Sequence, residues 1–212
     1  MKRIFSALAF ALCATQASAQ IHPQHYDLSV EVQYQVTEAT EAAAEAMGIE
    51  QTGVFTFDML FPRPACLAHY QSGSASYYST DTTLTAFDSK TRLHLRSEPR
   101  LQIANDLSGV LDRVLFVLRP DMRLKSGQVI ERMTLTSDVA LSALSSNAFV
   151  EDSRLLQEIL NEDGAQVFVF LDTAPQAAVI MDVVGAGVSI SNRRGNAPRN
   201  QIATCTPPAG FP

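Results

Sequence analysis

The clearest pattern in the chain is an alternation of apolar and polar residues that runs from Leu28 to Val36. A period of two sustained over this length predicts a β-strand with one buried face. Residues 53–60 repeat the pattern, and prolines follow at positions 62 and 64. Because proline cannot donate to the hydrogen-bond ladder, we expect the second strand to end there.

Shorter apolar segments separated by Asp, Ser, Gly or Pro predict further strands. They cover residues 76–79, 83–87, 91–96, 101–103, 113–118, 129–136, 167–172 and 179–184. Many short strands without alternating helices are typical of all-β proteins, so the sequence predicts an antiparallel β-sandwich. Strand order cannot be read from alternation, and jelly-roll-like and Ig-like connectivities both stay open.

Two segments carry helical patterns. Residues 38–47 are rich in Ala and Glu, follow Thr37 as a candidate cap, and end before Gly48. Residues 154–160 place leucine and isoleucine at helical spacing after the candidate caps Asp152 and Ser153. We therefore expect one or two short helices beside the sheet.

The first 19 residues have the three parts of a secretory signal peptide. Lys2 and Arg3 are positively charged, residues 4–14 are apolar, and small residues at 17–19 form a cleavage site. Cleavage there predicts an exported protein that begins at Gln20 and resides in the periplasm or the extracellular space. The remaining 193 residues carry a formal charge of −8, compared with −6 for the whole chain.

Composition and charge exclude several classes of protein. The chain is 46% hydrophobic and 18% charged, as is usual for one soluble domain, and shows no internal repeat. A net negative charge without a basic stripe argues against nucleic-acid binding. The most apolar segment after the leader, residues 177–190, is interrupted by Asp182 and too short to span a bilayer, so we interpret it as a core strand.

Two cysteines remain after the leader with Cys13 is removed, namely Cys66 and Cys205. In an oxidising compartment such a pair favours a disulfide, whereas a metal or redox pair would favour a Cys-x-x-Cys spacing. Residues 191–212 are rich in Pro, Gly and Asn without strand or helix periodicity. The sequence thus predicts a β-sandwich domain at 20–190 and a C-terminal coil at 191–212 that the disulfide ties to the domain.

A candidate copper or nickel site lies at the new N-terminus. Cleavage after Ala19 places His22 third from a free amine, with His25 close by. The amine, two backbone amides and the imidazole can form a square-planar nitrogen set that suits Cu²⁺ or Ni²⁺. Cyclisation of Gln20 would remove the amine and with it the site.

Asn105, Asp106 and Asp112 form a second candidate metal site. Three oxygen-bearing side chains around a turn can bind Ca²⁺, although the alternating acids of an EF-hand loop are absent. The alternative is turn chemistry, in which Asn and Asp side chains close the connection between two strands.

The order of four motifs resembles a known group of proteins. The motifs are G-V-F-T-F-D at 53–58, the Asn-Asp and following Gly and Asp at 105–112, a Leu- and Ser-rich segment at 141–146, and V-x-G-x-x-x-S-I at 183–190. This order resembles secreted bacterial β-sandwich proteins of unknown function related to the PEP-CTERM group. The resemblance implies a β-sandwich fold and carries over no catalytic residues. The chain departs from the group because it has no Pro-Glu-Pro sorting tail.

No catalytic motif emerges from the sequence. There is no G-x-S-x-G nucleophile elbow and no H-E-x-x-H helix. We therefore expect an exported, non-enzymatic protein without a cofactor, with a binding or structural role in the cell envelope or extracellular space and with an extracytoplasmic protein or a polysaccharide as its partner. The alternatives are a secreted hydrolase or carbohydrate-active protein, whose site is assembled from separated strands, and a periplasmic copper-binding protein.

Overall fold

A computed structural model describes residues 24–63, 65, 67–71, 73–87, 92–95, 99–107, 111–140, 143–144, 146–174 and 176–194. These residues form twelve β-strands, two α-helices and one turn of 3₁₀-helix. The strands are β1 (Gln24–Val36), β2 (Thr52–Pro62), β3 (Leu67–Gln71), β4 (Ser74–Tyr78), β5 (Asp81–Thr85), β6 (Leu93–His94), β7 (Arg100–Leu107), β8 (Leu111–Leu118), β9 (Met122–Arg123), β10 (Val129–Ala140), β11 (Gln166–Leu171) and β12 (Ala177–Arg194). The 3₁₀-helix covers Glu38–Thr40, and the α-helices are α1 (Glu41–Met47) and α2 (Ser153–Leu160).

The predicted all-β, antiparallel fold with short helices is confirmed. The described strands form one continuous sheet in the order β3-β4-β7-β8-β10-β11-β12-β1-β2-β5-β6, and β9 pairs with β10. The sheet curls so that its two halves face each other across the core. Phe57 on β2 and Phe116 on β8 show this directly, because their ring centroids are 5.2 Å apart although four strands separate β2 from β8 in the sheet.

The chain turns a corner between the two halves at Ser79 and Thr80. The Ser79 amide donates to the carbonyl of Pro99 at 3.0 Å, beside β7, and the Thr80 amide donates to Leu60 on β2 at 2.8 Å. Consecutive strands β4 and β5 therefore lie in opposite halves of the sheet. Such corners are typical of sheets that fold onto themselves.

Alternation determines which side of each strand enters the core. On β1 the apolar positions from Leu28 to Val36 are almost fully buried, and the polar positions between them face outward. A slip of one residue in the pairing of β1 would turn every one of these side chains to the opposite face. The register of β1 with β2 and β12 is therefore strongly specified.

Helix α2 fills a gap between β10 and β12. Strand β11 pairs with β12 only as far as Asp182, so none of the described strands lies beside the next part of β12 on that edge. The Asn161 side chain accepts a hydrogen bond from the Ala186 amide at 2.8 Å and donates one to the Ala186 carbonyl at 2.9 Å. The Gln157 side chain accepts from the Val188 amide at 3.3 Å. Four residues of helix rise about 6.0 Å and two residues of strand about 6.7 Å, so the two amide side chains match the spacing of the strand.

An aromatic cluster closes one end of the core. The ring of Phe149 lies 5.1 Å from Tyr26, 5.0 Å from Phe61 and 5.5 Å from Tyr77, measured between centroids. The rings come from β1, β2 and β4, and Phe149 comes from the segment before α2. This segment thus connects both halves of the sheet.

Hydrogen bonds from two tyrosines hold the same segment. Tyr26 donates to the Glu151 carboxylate at 2.5 Å, and Tyr77 donates to the carbonyl of Asn147 at 2.8 Å. Burial raises the pKa of the Tyr26 hydroxyl, and the hydrogen bond to Glu151 raises it further. Burial also raises the pKa of Tyr77.

Two details of the predicted elements are corrected. Residues 191–194 belong to β12 instead of the predicted coil at 191–212, because they pair with residues 24–27 of β1. Thr37 does not cap a helix over 38–47, because its hydroxyl and that of Thr40 both donate to the carbonyl of Ile180. The segment 38–47 is also divided into the 3₁₀-helix and α1. Residues 195–212 lie outside the described part of the chain. None of the described helices is long and apolar enough to cross a membrane.

Candidate functional site: a polar pocket on the outer face of the sheet

The outward side of β1, β2, β5 and β6 is a mostly polar surface that also carries the exposed Val54, and we call it the polar wall. Its members are Asp27, Ser29, Glu31 and Gln33 on β1, Thr56, Asp58 and Leu60 on β2, Asp81, Thr83 and Thr85 on β5, and His94 on β6. The inward side of the same strands carries core residues such as Phe55 and Phe57. The wall therefore rests on a packed and rigid layer.

The register places the chemistry-bearing side chains of the polar wall in two adjacent rows. Asp27 pairs with Leu60, and Leu60 pairs with Asp81. In the next row Asp58 pairs with Thr83, and Thr83 pairs with His94. Neighbouring strands lie about 4.8 Å apart, so side chains within a row contact one another.

A closed set of polar contacts joins Asp58, Thr83 and Arg92. The guanidinium of Arg92 contacts the Asp58 carboxylate, and Arg92 Nε donates to Thr83 Oγ1 at 2.7 Å. Thr83 Oγ1 in turn donates to Asp58 Oδ2 at 3.2 Å. Each group fixes the orientation of the other two, although the side chain of Arg92 is 60% exposed.

Asp81 and His94 form a looser pair beside this set. His94 Nδ1 lies 3.6 Å from Asp81 Oδ1, which is beyond hydrogen-bonding distance. The two side chains are 51% and 71% exposed. Their polar atoms are consequently accessible to a ligand that enters from solvent.

These side chains line a cavity of about 240 Å³. Drug-sized ligands occupy pockets of roughly 300–1,000 Å³, so this cavity suits one small polar unit. Asp27, Asp58 and Asp81 supply acceptors, Arg92 supplies donors, and the Thr83 hydroxyl is both. The cavity thus combines opposite charges and both hydrogen-bonding roles within a small volume.

The predicted disulfide cannot be placed, since Cys66 and Cys205 both lie outside the described residues. The same holds for His22 of the predicted copper or nickel site. The disulfide and the contribution of His22 stay predictions.

His25 occupies an outward position near the start of β1, opposite Pro62 on β2. Its side chain is nevertheless buried, with 5% of the residue exposed, and neither ring nitrogen has a hydrogen-bond partner within the described chain. The described residues contain no group of three His, Cys, Asp or Glu side chains arranged to hold a metal. A copper or nickel site at His22 and His25 therefore also stays a prediction.

The residues of the predicted calcium site lie at one end of β7 and β8. Asp112 is fully buried, and its carboxylate accepts the Leu144 amide at 2.7 Å, which anchors the segment after β10. The backbone amide of Asn105 donates to Asn147 Oδ1 at 2.6 Å, and the side chain of Asp106 lies outside the described set. The observed bond of Asp112 is a structural one, and calcium binding by the three residues stays a prediction.

None of the pocket residues was selected from the sequence. Asp58 ends the G-x-F-T-F-D motif, and alternation places it on the side opposite Phe57. The sequence contains no signal that Thr83 and Arg92 lie beside it, because those contacts depend on strand register. The only indication in the sequence was an Asp on the outward side of a predicted strand.

Comparisons with family models, with curated proteins and with solved structures found no match to this chain. The resemblance to secreted PEP-CTERM-related proteins is therefore neither supported nor opposed by them.

Proposed function

We propose that this protein is an exported, non-enzymatic binding protein that holds one sugar unit of an extracytoplasmic polysaccharide in the pocket of the polar wall. The observation that carries the proposal is the mutually bonded set of Asp58, Thr83 and Arg92 in the lining of a small cavity. Asp58 and Thr83 lie on regular strands, which hold polar groups more accurately than loops do, and Arg92 directly precedes β6.

The mixture of charges favours a neutral ligand rich in hydroxyl groups. A cationic ligand would meet the guanidinium of Arg92, and an anionic one would meet the carboxylates of Asp58 and Asp81. A sugar hydroxyl both donates and accepts, so neighbouring hydroxyls can bond a carboxylate and a guanidinium at the same time. Among the predicted partners, this chemistry favours a polysaccharide over a protein.

Affinity electrophoresis tests the proposal. Purified protein is run in native gels that contain a soluble β-glucan, an α-glucan, a galactomannan or a polygalacturonate, each compared with a gel without polysaccharide. We expect retardation by at least one of the neutral polymers. Unchanged mobility of the folded protein in all four gels would contradict the proposal.

Variants connect the retardation to the pocket. Asp58→Asn and Arg92→Gln should abolish it, whereas Arg92→Lys should leave it weakened because the charge remains but the planar donor set is lost. Gln33→Ala is the matched control, since it lies on the same wall away from the cavity lining. Circular dichroism confirms that each variant is folded, and retardation that survives both Asp58→Asn and Arg92→Gln would locate binding elsewhere.

The same incubations distinguish binding from hydrolysis. If the protein is non-enzymatic, reducing ends will not accumulate in the retained polymer over a day. Accumulation that Asp58→Asn abolishes would instead favour the alternative of a carbohydrate-active hydrolase.

Export is tested separately from binding. When the full chain is expressed in a bacterial host, we expect the protein outside the cytosol, with a mass that corresponds to a start at Gln20. Full-length protein recovered only from the cytosol would contradict export.

A further inference from the structure

Two arginines lie close together on the outward side of β7 and β10, in the half of the sheet opposite the polar wall. Arg100 pairs with Val117 of β8, and Val117 pairs with Thr134 of β10, so these residues form one row across the sheet. Arg132 lies in the next row, two residues before Thr134 on the same face of β10. We call Arg100 and Arg132 the arginine pair. Val117, which is only 5% exposed, forms the packed floor between them.

The register sets the distance between the two arginines. Two strand spacings and one step of two residues along a strand place their Cα atoms about 12 Å apart. Arginine side chains can close this distance from both sides, so the two guanidiniums can act on neighbouring groups of one ligand. Arg119 adds a third positive charge nearby, since it directly follows the residue that pairs with Met133.

The charges of the arginine pair are not matched within the described part of the chain. Both Nε atoms are buried without a hydrogen-bond partner there, and no ion pair joins either guanidinium to a described carboxylate. By contrast, Arg92, Arg113 and Arg154 each pair with an Asp or a Glu. Because polar groups at such positions nearly always have partners, the arginine pair indicates an acceptor from outside the chain.

The acidic side chains on this half of the sheet leave the arginine pair accessible. Asp138 accepts from Arg113, and Asp182 accepts from Gln166 at 2.9 Å. Glu131 is the extra residue at the bulge of β10, where it is exposed. A ligand anion would therefore not have to displace a carboxylate of the described chain from either arginine.

The ring of Phe170 orients the guanidinium of Arg132. Its centroid lies 3.9 Å from the Arg132 Cζ atom, so the ring covers one face of the guanidinium. The N–H donors lie in the guanidinium plane and stay available at its edge, where they match the two oxygens of a carboxylate. Both members of the arginine pair are partly exposed, which leaves the ends of the side chains within reach of a ligand.

We propose that the arginine pair binds carboxylate groups of an acidic polysaccharide that lies across this face. A uronic acid unit presents one carboxylate beside several hydroxyl groups. Thr134 and Thr136 occupy outward positions next to the arginine pair, and their partly exposed hydroxyls can bond those of the sugar. The site is independent of the pocket of the polar wall, because it lies on the other half of the sheet and takes a charged ligand.

The same face is poorly suited to a membrane surface. Insertion between lipids needs apolar side chains that project, whereas Val117 is buried and Phe170 lies under Arg132. Attraction to anionic lipids by charge alone takes clusters of roughly four to eight basic residues. The arginine pair with Arg119 is smaller than such a cluster, so an acidic polysaccharide is the better match.

Isothermal titration calorimetry of the full-chain expression product tests the proposal. The probes are fragments of polygalacturonate, polymannuronate and hyaluronate, each compared with its methyl ester, in which the carboxylates are blocked. We expect at least one acid form to bind, its methyl ester not to bind, and the binding to weaken at high salt because exposed charges are screened. Arg100→Gln and Arg132→Gln should each weaken the binding about tenfold, since each removes charge-assisted hydrogen bonds.

Further variants separate the arginine pair from general charge effects. Arg154→Gln is the matched control, because it removes the same charge from α2 and should leave the affinity unchanged. Arg132→Lys should keep only part of the affinity, since the charge remains without the planar donors. Circular dichroism confirms that each variant is folded.

Several results would overturn the proposal. They are a wild-type protein that binds none of the acid forms, equal binding of the methyl esters, and binding that survives in the double variant Arg100→Gln/Arg132→Gln. Vesicles of phosphatidylglycerol provide the last comparison. A protein that binds these vesicles but none of the oligosaccharides would also contradict the proposal, because the face would then recognise lipid.

Discussion

Asn161 replaces a neighbouring strand for part of β12, and this role can be measured. Its side chain accepts from the Ala186 amide at 2.8 Å, and it donates to the Ala186 carbonyl at 2.9 Å and to the Gln157 carbonyl at 2.7 Å. Asn161→Ala removes all three hydrogen bonds. It leaves both backbone groups of Ala186 to water, since β11 does not reach this far along β12.

The expected loss follows from the number and exposure of these bonds. One hydrogen bond contributes about 0.5–1.5 kcal/mol net, and partners that water can replace lie at the low end. Because Asn161 is exposed, we expect Asn161→Ala to lower the free energy of unfolding by about 1–2 kcal/mol. In a domain of this size that corresponds to a fall in Tm of about 3–6 °C.

Asn161→Asp separates the hydrogen bonds from the shape of the side chain. An aspartate keeps the acceptor for the Ala186 amide but places an oxygen against two carbonyls, and it adds negative charge at the C-terminal end of α2. We expect it to destabilise the protein at least as much as Asn161→Ala. Glu162→Ala is the control, because Glu162 is exposed and surface changes of this kind stay within about 0.5 kcal/mol.

Urea unfolding followed by circular dichroism measures the change as a shift in midpoint at constant m-value. Amide hydrogen exchange adds a local measurement, since the Ala186 amide should lose protection in Asn161→Ala, whereas the part of β12 that pairs with β11 should keep it. An Asn161→Ala variant as stable as Glu162→Ala, with unchanged protection at Ala186, would refute the role of α2 as a substitute strand.

Three further predictions follow from the core and its closed end. Phe149→Ala should lower the free energy of unfolding by about 2–4 kcal/mol in urea titrations, since it removes the ring that joins both halves of the sheet; a loss below that of a surface variant would contradict this role. Asp112→Ala should lower the free energy of unfolding by about 1–3 kcal/mol, because it leaves the buried Leu144 amide without its acceptor. In the same assay, addition of Ca²⁺ to the wild type tests the calcium prediction. The free energy of unfolding should fall as the pH rises above 10.0, the ordinary pKa of tyrosine. The reason is that the folded state raises the pKa of Tyr26 and Tyr77 and so binds their protons more tightly than the unfolded state does. The double variant Tyr26→Phe/Tyr77→Phe should flatten that alkaline slope, and an unchanged slope would show that these hydroxyls do not cause it.

Local pattern was sufficient for most of the strands and for one helix, although β3 and β9 were not predicted. The alternation from Leu28 to Val36 identified the buried side of β1, and Asp152 caps α2 as predicted, accepting from the amides of Arg154 and Leu155. These features depend on residues close together in the chain. Their physical causes, burial of one face and satisfaction of free helix amides, are visible in a short window of sequence.

Features that depend on strand pairing were not predictable in the same way. The polar segment 191–194 is a strand only because β1 pairs with it, and the pocket exists only because β5 places Thr83 beside Asp58. Asp112 illustrates the limit at the level of one residue. Its turn-like setting favoured a metal ligand or a turn, whereas the fold uses its carboxylate to hold the Leu144 amide.

The most direct test of the proposed function is a titration observed residue by residue. Isotope-labelled protein is titrated with oligosaccharide fragments of the polymer that retards it most, and amide shifts are recorded in two-dimensional NMR spectra. Binding in the pocket predicts saturable shifts centred on Asp58, Thr83 and His94, with no change at Phe168 on β11, in the other half of the sheet. Shifts confined to the half of the sheet that contains β11, or no shifts at millimolar oligosaccharide, would contradict the account.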